Sequence, residues 1–327
     1  MHKGLICCAK GACDLIYPQA ERTVISRLVD LVAPPVTAQE VLANPVLLRE
    51  VEVIFSGWGA PCFTEDLLAQ APNLKAVFYG AGSVRSMVTP AFWERGILLT
   101  NAVYGNAIPV AEYAFAHIIL GLKSTWQHVQ AVRQDGHRHQ RLPMAGANGS
   151  TVGLISLGTI GRLVMEHLRR LDVNILAFDP FASPMEGFTL CSLEEVFSRS
   201  NVVSLHTPWL KETEGMITGA MLDSMPPYST FINTARGAVV REDEMIAVLQ
   251  HRPDLVAVLD VTYPEPPVPD SPLLTMPNVI LTPHIAGAVC PGEARRMGQM
   301  MIEEYRRYAS GMPLKYALTR QQAERMA

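Results

Sequence analysis

Short apolar runs alternate with helix-periodic stretches along almost all of this 327-residue chain, and they do so in two successive series. In the first hundred residues the runs Gly4-Leu-Ile-Cys-Cys, Val53-Ile-Phe-Ser, Lys75-Ala-Val-Phe-Tyr and Gly96-Ile-Leu-Leu-Thr-Asn alternate with helical patterns at Ala20 to Leu31 and Thr64 to Ala71. Strands joined through helices pair in parallel, so this rhythm predicts a parallel sheet clothed in helices. Pro109 to Val132 then reads as one long helix, and the stretch 136–149 loses all periodicity, as a connecting loop does. A second series follows, with strands expected at Thr151 to Ser156, Asn174 to Phe178, Val202 to Leu205, Ser229 to Asn233, Val256 to Val261 and Val279 to Leu281. Six such units suit a doubly wound sheet. Gly292 to Tyr308 reads as a last helix, and the tail beginning Met312-Pro-Leu can return to the first unit.

A chain of this length exceeds what one hydrophobic core usually serves, and 49% hydrophobic residues supply apolar material for two. No apolar run is long enough for a membrane span, and no partner membrane is expected. A net charge of -4 without a basic stripe argues against nucleic acid as a partner. The six cysteines are dispersed and the first residues lack a signal-peptide pattern, which points to a reducing cytoplasm. Cys7, Cys8 and Cys13 cluster closely enough to raise a metal site, but neighbours on a strand face opposite ways, and structural thiols with no metal are the expectation.

The second series opens with Val152-Gly-Leu-Ile-Ser-Leu-Gly-Thr-Ile-Gly-Arg-Leu, a strand running into a helix through a degenerate G-x-G-x-x-G in which Ser156 replaces the first glycine. Gly158 would let backbone approach a pyrophosphate, Gly161 would let helix and strand pack, and Thr159 and Ile160 offer N–H donors at the helix start. Asp179 ends the next strand, 18 residues beyond Gly161, placed to accept hydrogen bonds from a ribose. A carboxylate there repels a 2′-phosphate, and no Arg follows in Asp-Pro-Phe-Ala-Ser, so NAD(H) is expected in preference to NADP.

Three further stretches lie downstream: Phe-Ile-Asn-Thr-Ala-Arg-Gly ending at Gly237, Leu-Asp-Val-Thr-Tyr-Pro-Glu-Pro ending at Pro266, and Leu-Thr-Pro-His-Ile-Ala-Gly ending at Gly287. Their order and content resemble the D-isomer-specific 2-hydroxyacid dehydrogenase family, strongly over 101–290 and more loosely before it. The chemistry of such an enzyme needs a carboxylate anchor, a proton donor and a cofactor face held against a carbonyl. Arg236 suits the anchor through its planar fork of donors. His284 suits the proton donor, because imidazole titrates near neutral pH, and Glu265 would orient it and support its charged form. Relatives that oxidise formate carry Gln in place of this glutamate, so Glu265 argues against that reaction.

The resemblance implies more. His206 and Thr207 match a loop under the adenine and ribose, although His206 reads equally well as a packing residue, and Thr234, Ala235 and Asp260 match positions flanking the nicotinamide. Domains are expected at 1–101 with 291–327, a smaller flavodoxin-like substrate domain completed by the C-terminal helix, and at 102–290, a Rossmann NAD-binding domain. The long helix would form a two-fold face in a homodimer. The stretch Tyr79-Gly-Ala-Gly-Ser-Val resembles the family loop whose amides hold the substrate carboxylate, through Gly80, Ala81 and Gly82; beyond it, Ser83 to Met87 departs from the family pattern. Arg85 could meet a second anionic group or be a surface residue, and Trp58 could line the pocket or cover the core. Asn101 and Asn106 resemble polar residues bridging the domains.

The leading expectation is an NAD-dependent reductase of a small 2-oxo acid, of glyoxylate, hydroxypyruvate or sugar-acid type. Two alternatives remain: an NAD(H)-sensing protein whose output is partner binding, and a phosphoglycerate-type dehydrogenase.

Overall fold

The computed structural model describes residues 1–136 and 140–326, which form two compact units, 1–106 with 288–327 and 107–287. Residues 137–139 of the expected connecting loop lie outside the described residues.

In the first unit β1 (Lys3–Cys7), β2 (Asp30–Leu31), β3 (Val53–Ser56), β4 (Ala76–Tyr79) and β5 (Leu98–Asn101) lie in the order β2-β1-β3-β4-β5, every pair parallel. Register sorts the side chains by face. Leu5, Ile54, Val77 and Leu99 stand side by side in one core, while Ile6, Phe55 and Phe78 line the opposite one, with Phe55 and Phe78 stacked at 5.4 Å. Burying each such side chain contributes about 1.5–3 kcal/mol. Cys7 and Cys8 fall on opposite faces, each in a different core.

The helical pattern expected to run to Leu31 stops short: the helix is Gln19–Leu28, Val29 is extended, and Asp30 and Leu31 pair with β1 as an edge strand. β-Branched Val29 favours that extension, and Lys3 Nζ holds the Asp30 carboxylate at 2.8 Å. The helix Pro291–Ala309 packs on this unit. Gly298 lies so close to helix Lys10–Ile16 that a Cβ would stand 2.0 Å from the Ile16 carbonyl oxygen. Tyr305 packs on Phe55 and Phe78, and Arg295 Nε binds buried Glu21 at 2.6 Å. The tail then runs along β5, with Leu318 N–H donating to Leu99 O at 2.8 Å.

The helix expected from Pro109 to Val132 begins earlier and is broken. It spans Val103–Leu122 with Pro109 inside it, reverses at Ser124 in a left-handed backbone (φ 46°), and resumes as Thr125–Asp135. Gly121 lets its end lie directly on the second sheet, where a Cβ would stand 3.0 Å from Thr230 and 3.1 Å from Val202.

In the second unit β6 (Thr151–Ile155), β7 (Asn174–Phe178), β8 (Thr189–Leu190), β9 (Val202–Leu205), β10 (Thr230–Asn233), β11 (Val256–Leu259) and β12 (Val279–Leu281) form one all-parallel sheet in the order β12-β11-β10-β9-β6-β7-β8. The two-residue β8 was not anticipated. Val152, Val202, Ile232, Val256 and Val258 face one core, and Ile155, Val203, Phe231, Ala257 and Leu259 the other. Among the described residues no helix is long and apolar enough to cross a membrane.

Candidate active site

Because every strand of the seven-stranded sheet is parallel, every strand delivers its following loop to the same edge, and the chain changes winding direction between β6 and β9. Ligands of open α/β sheets bind at such a switch point. The fingerprint turn after β6, Asp179 after β7, His206 after β9, Arg236 after β10, Asp260 after β11 and His284 after β12 therefore share one edge.

Ser156 takes the left-handed conformation, φ 73°, that a glycine would adopt freely, and its Oγ shares a 2.8 Å hydrogen bond with Thr207 Oγ1 across the switch. Gly161 is obligatory, since a Cβ there would lie 2.2 Å from Ser156 O. Gly158 has nothing within 4 Å of the position its Cβ would take, and it precedes helix Thr159–Leu168. That is an open helix N-terminus with unpaired donors and a favourable dipole, suited to a phosphate. Asp179 accepts from Leu157 N–H at 2.7 Å and Phe181 N–H at 2.8 Å. An ionised carboxylate offers about four acceptor sites, so Asp179 braces the turn and still has capacity for ribose hydroxyls.

Behind the turn, both ring nitrogens of His206 and the Thr234 hydroxyl are buried without a partner among the described residues. Burial holds the His206 imidazole down at about 4, a neutral ring. Thr207 and Ala235 are also buried. Orphaned polar atoms beside an open helix start suit a dinucleotide bearing hydroxyls and phosphates.

Arg236 follows a turn clamped by Asn233, whose Oδ1 accepts from Ala235 N–H at 2.9 Å and whose Nδ2 donates to Arg236 O at 3.1 Å. Gly237 fixes the other side, because a Cβ would lie 2.1 Å from the Thr262 carbonyl carbon. The loop carrying Arg236 thus packs on the loop that leads to Glu265. Burial lowers the guanidinium pKa, and the Glu265 carboxylate acts against that shift, which places the two charges within each other's field.

His284 also has a left-handed backbone, φ 54°, and its Nδ1 lies 2.5 Å from Glu265 Oε1. Both side chains are partly exposed, at 46% and 39%. A ring tied to a carboxylate through Nδ1 presents Nε2 outward, the arrangement of an imidazole prepared to exchange a proton. Asp260, by contrast, is 1% exposed, and its carboxylate accepts from the Thr282 hydroxyl at 2.6 Å, Ile285 N–H at 2.8 Å and Ala286 N–H at 2.9 Å. Its three bonds hold the loop that bears His284.

The candidates of the first unit stand on its own sheet edge, after β3 and β4. Gly80 is required, since a Cβ would lie 2.7 Å from Ile16 and 2.9 Å from the Tyr17 hydroxyl. The expected set of open amides is smaller here than the loop sequence implied. Gly80 N–H donates to Ser56 O at 2.7 Å and Ala81 N–H to Tyr79 O at 2.9 Å, while Gly82 O accepts from Asn101 Nδ2 at 2.9 Å. Trp58 is half-buried and packs against both cores of the unit, and Arg85 is exposed. Asn106 Oδ1 accepts from Ala288 N–H at 3.0 Å, so Asn101 and Asn106 both make these bonds inside the first unit rather than across a domain boundary.

Asn233, Gly237 and Thr282 brace the site and were not singled out from the sequence. The only signal was their place inside the three quoted stretches. Residues 115–286 match the family described as D-isomer specific 2-hydroxyacid dehydrogenase, NAD binding domain. The D-3-phosphoglycerate dehydrogenase of Archaeoglobus fulgidus is 31% identical over 257 residues, covering 77% of this chain and 49% of that protein, so the chain spans about half the length of that curated relative. The putative 2-hydroxyacid dehydrogenase YoaD of Bacillus subtilis is 33% identical over 233 residues, 69% of this chain and 68% of that one. In fold, a glyoxylate reductase from Paecilomyes thermophila superposes with a TM-score of 0.78 at 23% identity, covering 98% of this chain and 99% of that one. The edge that gathers an arginine, a glutamate-bound histidine and a dinucleotide turn thus has its counterpart in sequence, and the chain belongs to the D-isomer-specific 2-hydroxyacid dehydrogenases.

Proposed function

We propose that the protein reduces a small 2-oxo acid to the corresponding 2-hydroxy acid with NADH. The observation that carries this reading is the 2.5 Å pairing of His284 Nδ1 with Glu265, on the same sheet edge as Arg236 and the dinucleotide turn. Gly158, Thr159, Ile160 and Gly161 would hold the pyrophosphate, Asp179 the ribose, and His206, Thr207, Thr234, Ala235 and Asp260 would line the remainder of the cofactor. A nicotinamide held there would supply the hydride.

The protein's own residues do the rest. Arg236 anchors the substrate carboxylate with its forked donors and polarises the adjacent carbonyl. His284 gives a proton from Nε2 to the carbonyl oxygen as the alkoxide develops, and Glu265 holds the ring in place through Nδ1. In the first unit, the loop from Gly80 through Gly82 with Trp58 and Arg85 would select the substrate, with 1–101 and 291–327 acting as the substrate domain and 102–290 as the cofactor domain. Exposed Ile119, Val129, Val132 and Met144 around the broken helix support a homodimer.

The test is NADH oxidation by the purified protein with glyoxylate, hydroxypyruvate, pyruvate, phenylpyruvate and 2-oxoglutarate, with NADPH in parallel. Turnover with at least one of these, faster with NADH, is expected, and Asp179→Ala should narrow the cofactor preference. Tight NADH binding without turnover on any of them would remove the reductase reading in favour of a sensing role. Because a phosphoglycerate dehydrogenase is among the relatives, 3-phosphoglycerate with NAD belongs in the same panel; oxidation of that compound alone would replace the proposed substrate class.

A further inference from the structure

We infer that Tyr113 is a positioning residue for His284, acting through Thr282 and Asp260; the inference rests on the reading of His284 as the proton-transfer group. The three residues form a directed chain within the second unit. The Thr282 hydroxyl has one proton, and it points at Asp260 Oδ1, 2.6 Å away. Tyr113 Oη lies 3.0 Å from Thr282 Oγ1, so in that pair the phenol must be the donor. The order is therefore Tyr113 O–H to Thr282 Oγ1, and Thr282 O–H to the buried carboxylate.

That carboxylate carries the loop geometry. Besides the threonine it holds Ile285 and Ala286 by their amides, and Asp260 O accepts from His284 N–H at 3.0 Å. His284 sits between these ties at φ 54°, a left-handed conformation that a non-glycine residue keeps only where its surroundings enforce it. The Thr282 bond is the one side-chain tie among them. If the phenol is removed, the threonine hydroxyl can still reach Asp260 but loses the donor that fixes its rotamer, and the loop is held less rigidly. Alignment of Nδ1 with Glu265 would then be intermittent.

Tyr113 is itself held. It stands on the helix Val103–Leu122, one turn from His117, with the two rings 4.4 Å apart. Burial raises the phenol pKa, with the Thr282 hydroxyl opposing and the Asp260 charge reinforcing the rise, so the hydroxyl remains a donor at neutral pH. His117 is pushed toward its neutral form by burial. A rigid donor on a packed helix, aimed at a loop in a strained conformation, is the arrangement expected of a brace.

The experiment compares Tyr113→Phe, Thr282→Ser and Thr282→Val with the wild type, using kcat, KM for NADH, melting temperature, and hydrogen–deuterium exchange of the peptide holding Ile285 and Ala286. Tyr113→Phe should lower kcat by about tenfold, the loss of one aligned hydrogen bond, with KM for NADH and melting temperature little changed and amide exchange faster. Thr282→Ser keeps the hydroxyl and should retain more turnover than Thr282→Val, which keeps only the shape. A packing role predicts the reverse order, and that order would overturn the inference, as would unchanged kcat in Tyr113→Phe. Should the wild type turn over no 2-oxo acid, the underlying reading fails by itself; the exchange data then still judge the brace, and exchange unchanged in Tyr113→Phe would sink it independently.

Discussion

The edge of the seven-stranded sheet and the edge of the five-stranded sheet present loops in the same way, yet they fix them differently. On the larger sheet, side chains brace the loops: buried Asn233 clamps the Arg236 turn, buried Asp260 holds the His284 loop, and half-buried Asp179 ties down the fingerprint turn. On the smaller sheet the loop at Gly80 is fixed largely by backbone, through bonds to Ser56 and Tyr79 carbonyls and a glycine pressed against Ile16. Side-chain bracing leaves reactive groups pointing outward in a defined geometry, as chemistry demands. Backbone bracing uses up donors near the strand and leaves the stretch from Gly82 to Met87 as the part of this edge proposed to meet a substrate.

The largest expected effect would break this contrast if it failed. His284→Ala should cut turnover by about 10³-fold while NADH affinity stays nearly intact. Arg85→Ala, at the edge of the smaller sheet, should change KM among substrates and leave kcat close to wild type. Steady-state kinetics on both variants decide it; a kcat loss of similar size in Arg85→Ala would mean that the smaller sheet edge shares the chemistry.

Next in size is a pair of glycines in one turn. Gly161→Ala forces a Cβ to 2.2 Å from Ser156 O, which is backbone and cannot swing aside, so thermal unfolding should show a loss of about 2 kcal/mol or more. Gly158→Ala meets nothing in the protein and should melt like the wild type, with weakened NADH binding. Equal melting temperatures for the two would show that helix and strand do not approach as closely as described.

His206 sharpens the same comparison through acid sensitivity. Its folded-state value of about 4 lies below the 6.5 of a free imidazole, so below pH 6.5 the unfolded chain binds the proton more readily. Stability therefore falls as the pH drops from 6.5 toward 4, by at most about 3 kcal/mol from this one group, and its contribution levels off below that. Denaturation midpoints between pH 7 and 4 should slope less in His206→Gln. An unchanged slope would place the acid sensitivity elsewhere.

Much of this was legible in the sequence because parallel strands buried on both faces read as plain apolar runs. The runs at Val53, Val202 and Val279 became strands within a residue or two of their expected ends. Two-residue strands such as Asp30–Leu31 and Thr189–Leu190 have no period to detect, and the reversal at Ser124 is a backbone event that apolar spacing does not register. Arg236, Glu265 and His284 stood out by local motif, whereas the brace formed by Tyr113 and Thr282 joins residues 169 positions apart and exists only in the folded chain. Asp260 was noticed for a place beside the cofactor; the bonds that bury it became visible only with the loop around it.

The smallest effect concerns Ser156, where the departure from the glycine pattern can be weighed directly. Its positive φ costs about 1 kcal/mol relative to glycine, and its hydroxyl bond to Thr207 returns a similar amount. Ser156→Gly relieves the strain and loses the bond, with added unfolded-state entropy, so its stability should stay within about 1 kcal/mol of wild type. Ser156→Ala keeps the strain, loses the bond and should be the less stable of the two by about 1 kcal/mol. Paired thermal melts would show this order, and an alanine variant as stable as the glycine one would mean that the turn tolerates a Cβ without strain. In that case the serine would hold its place through Thr207 alone, and side-chain bracing at the larger sheet edge would extend to the first residue of the dinucleotide turn.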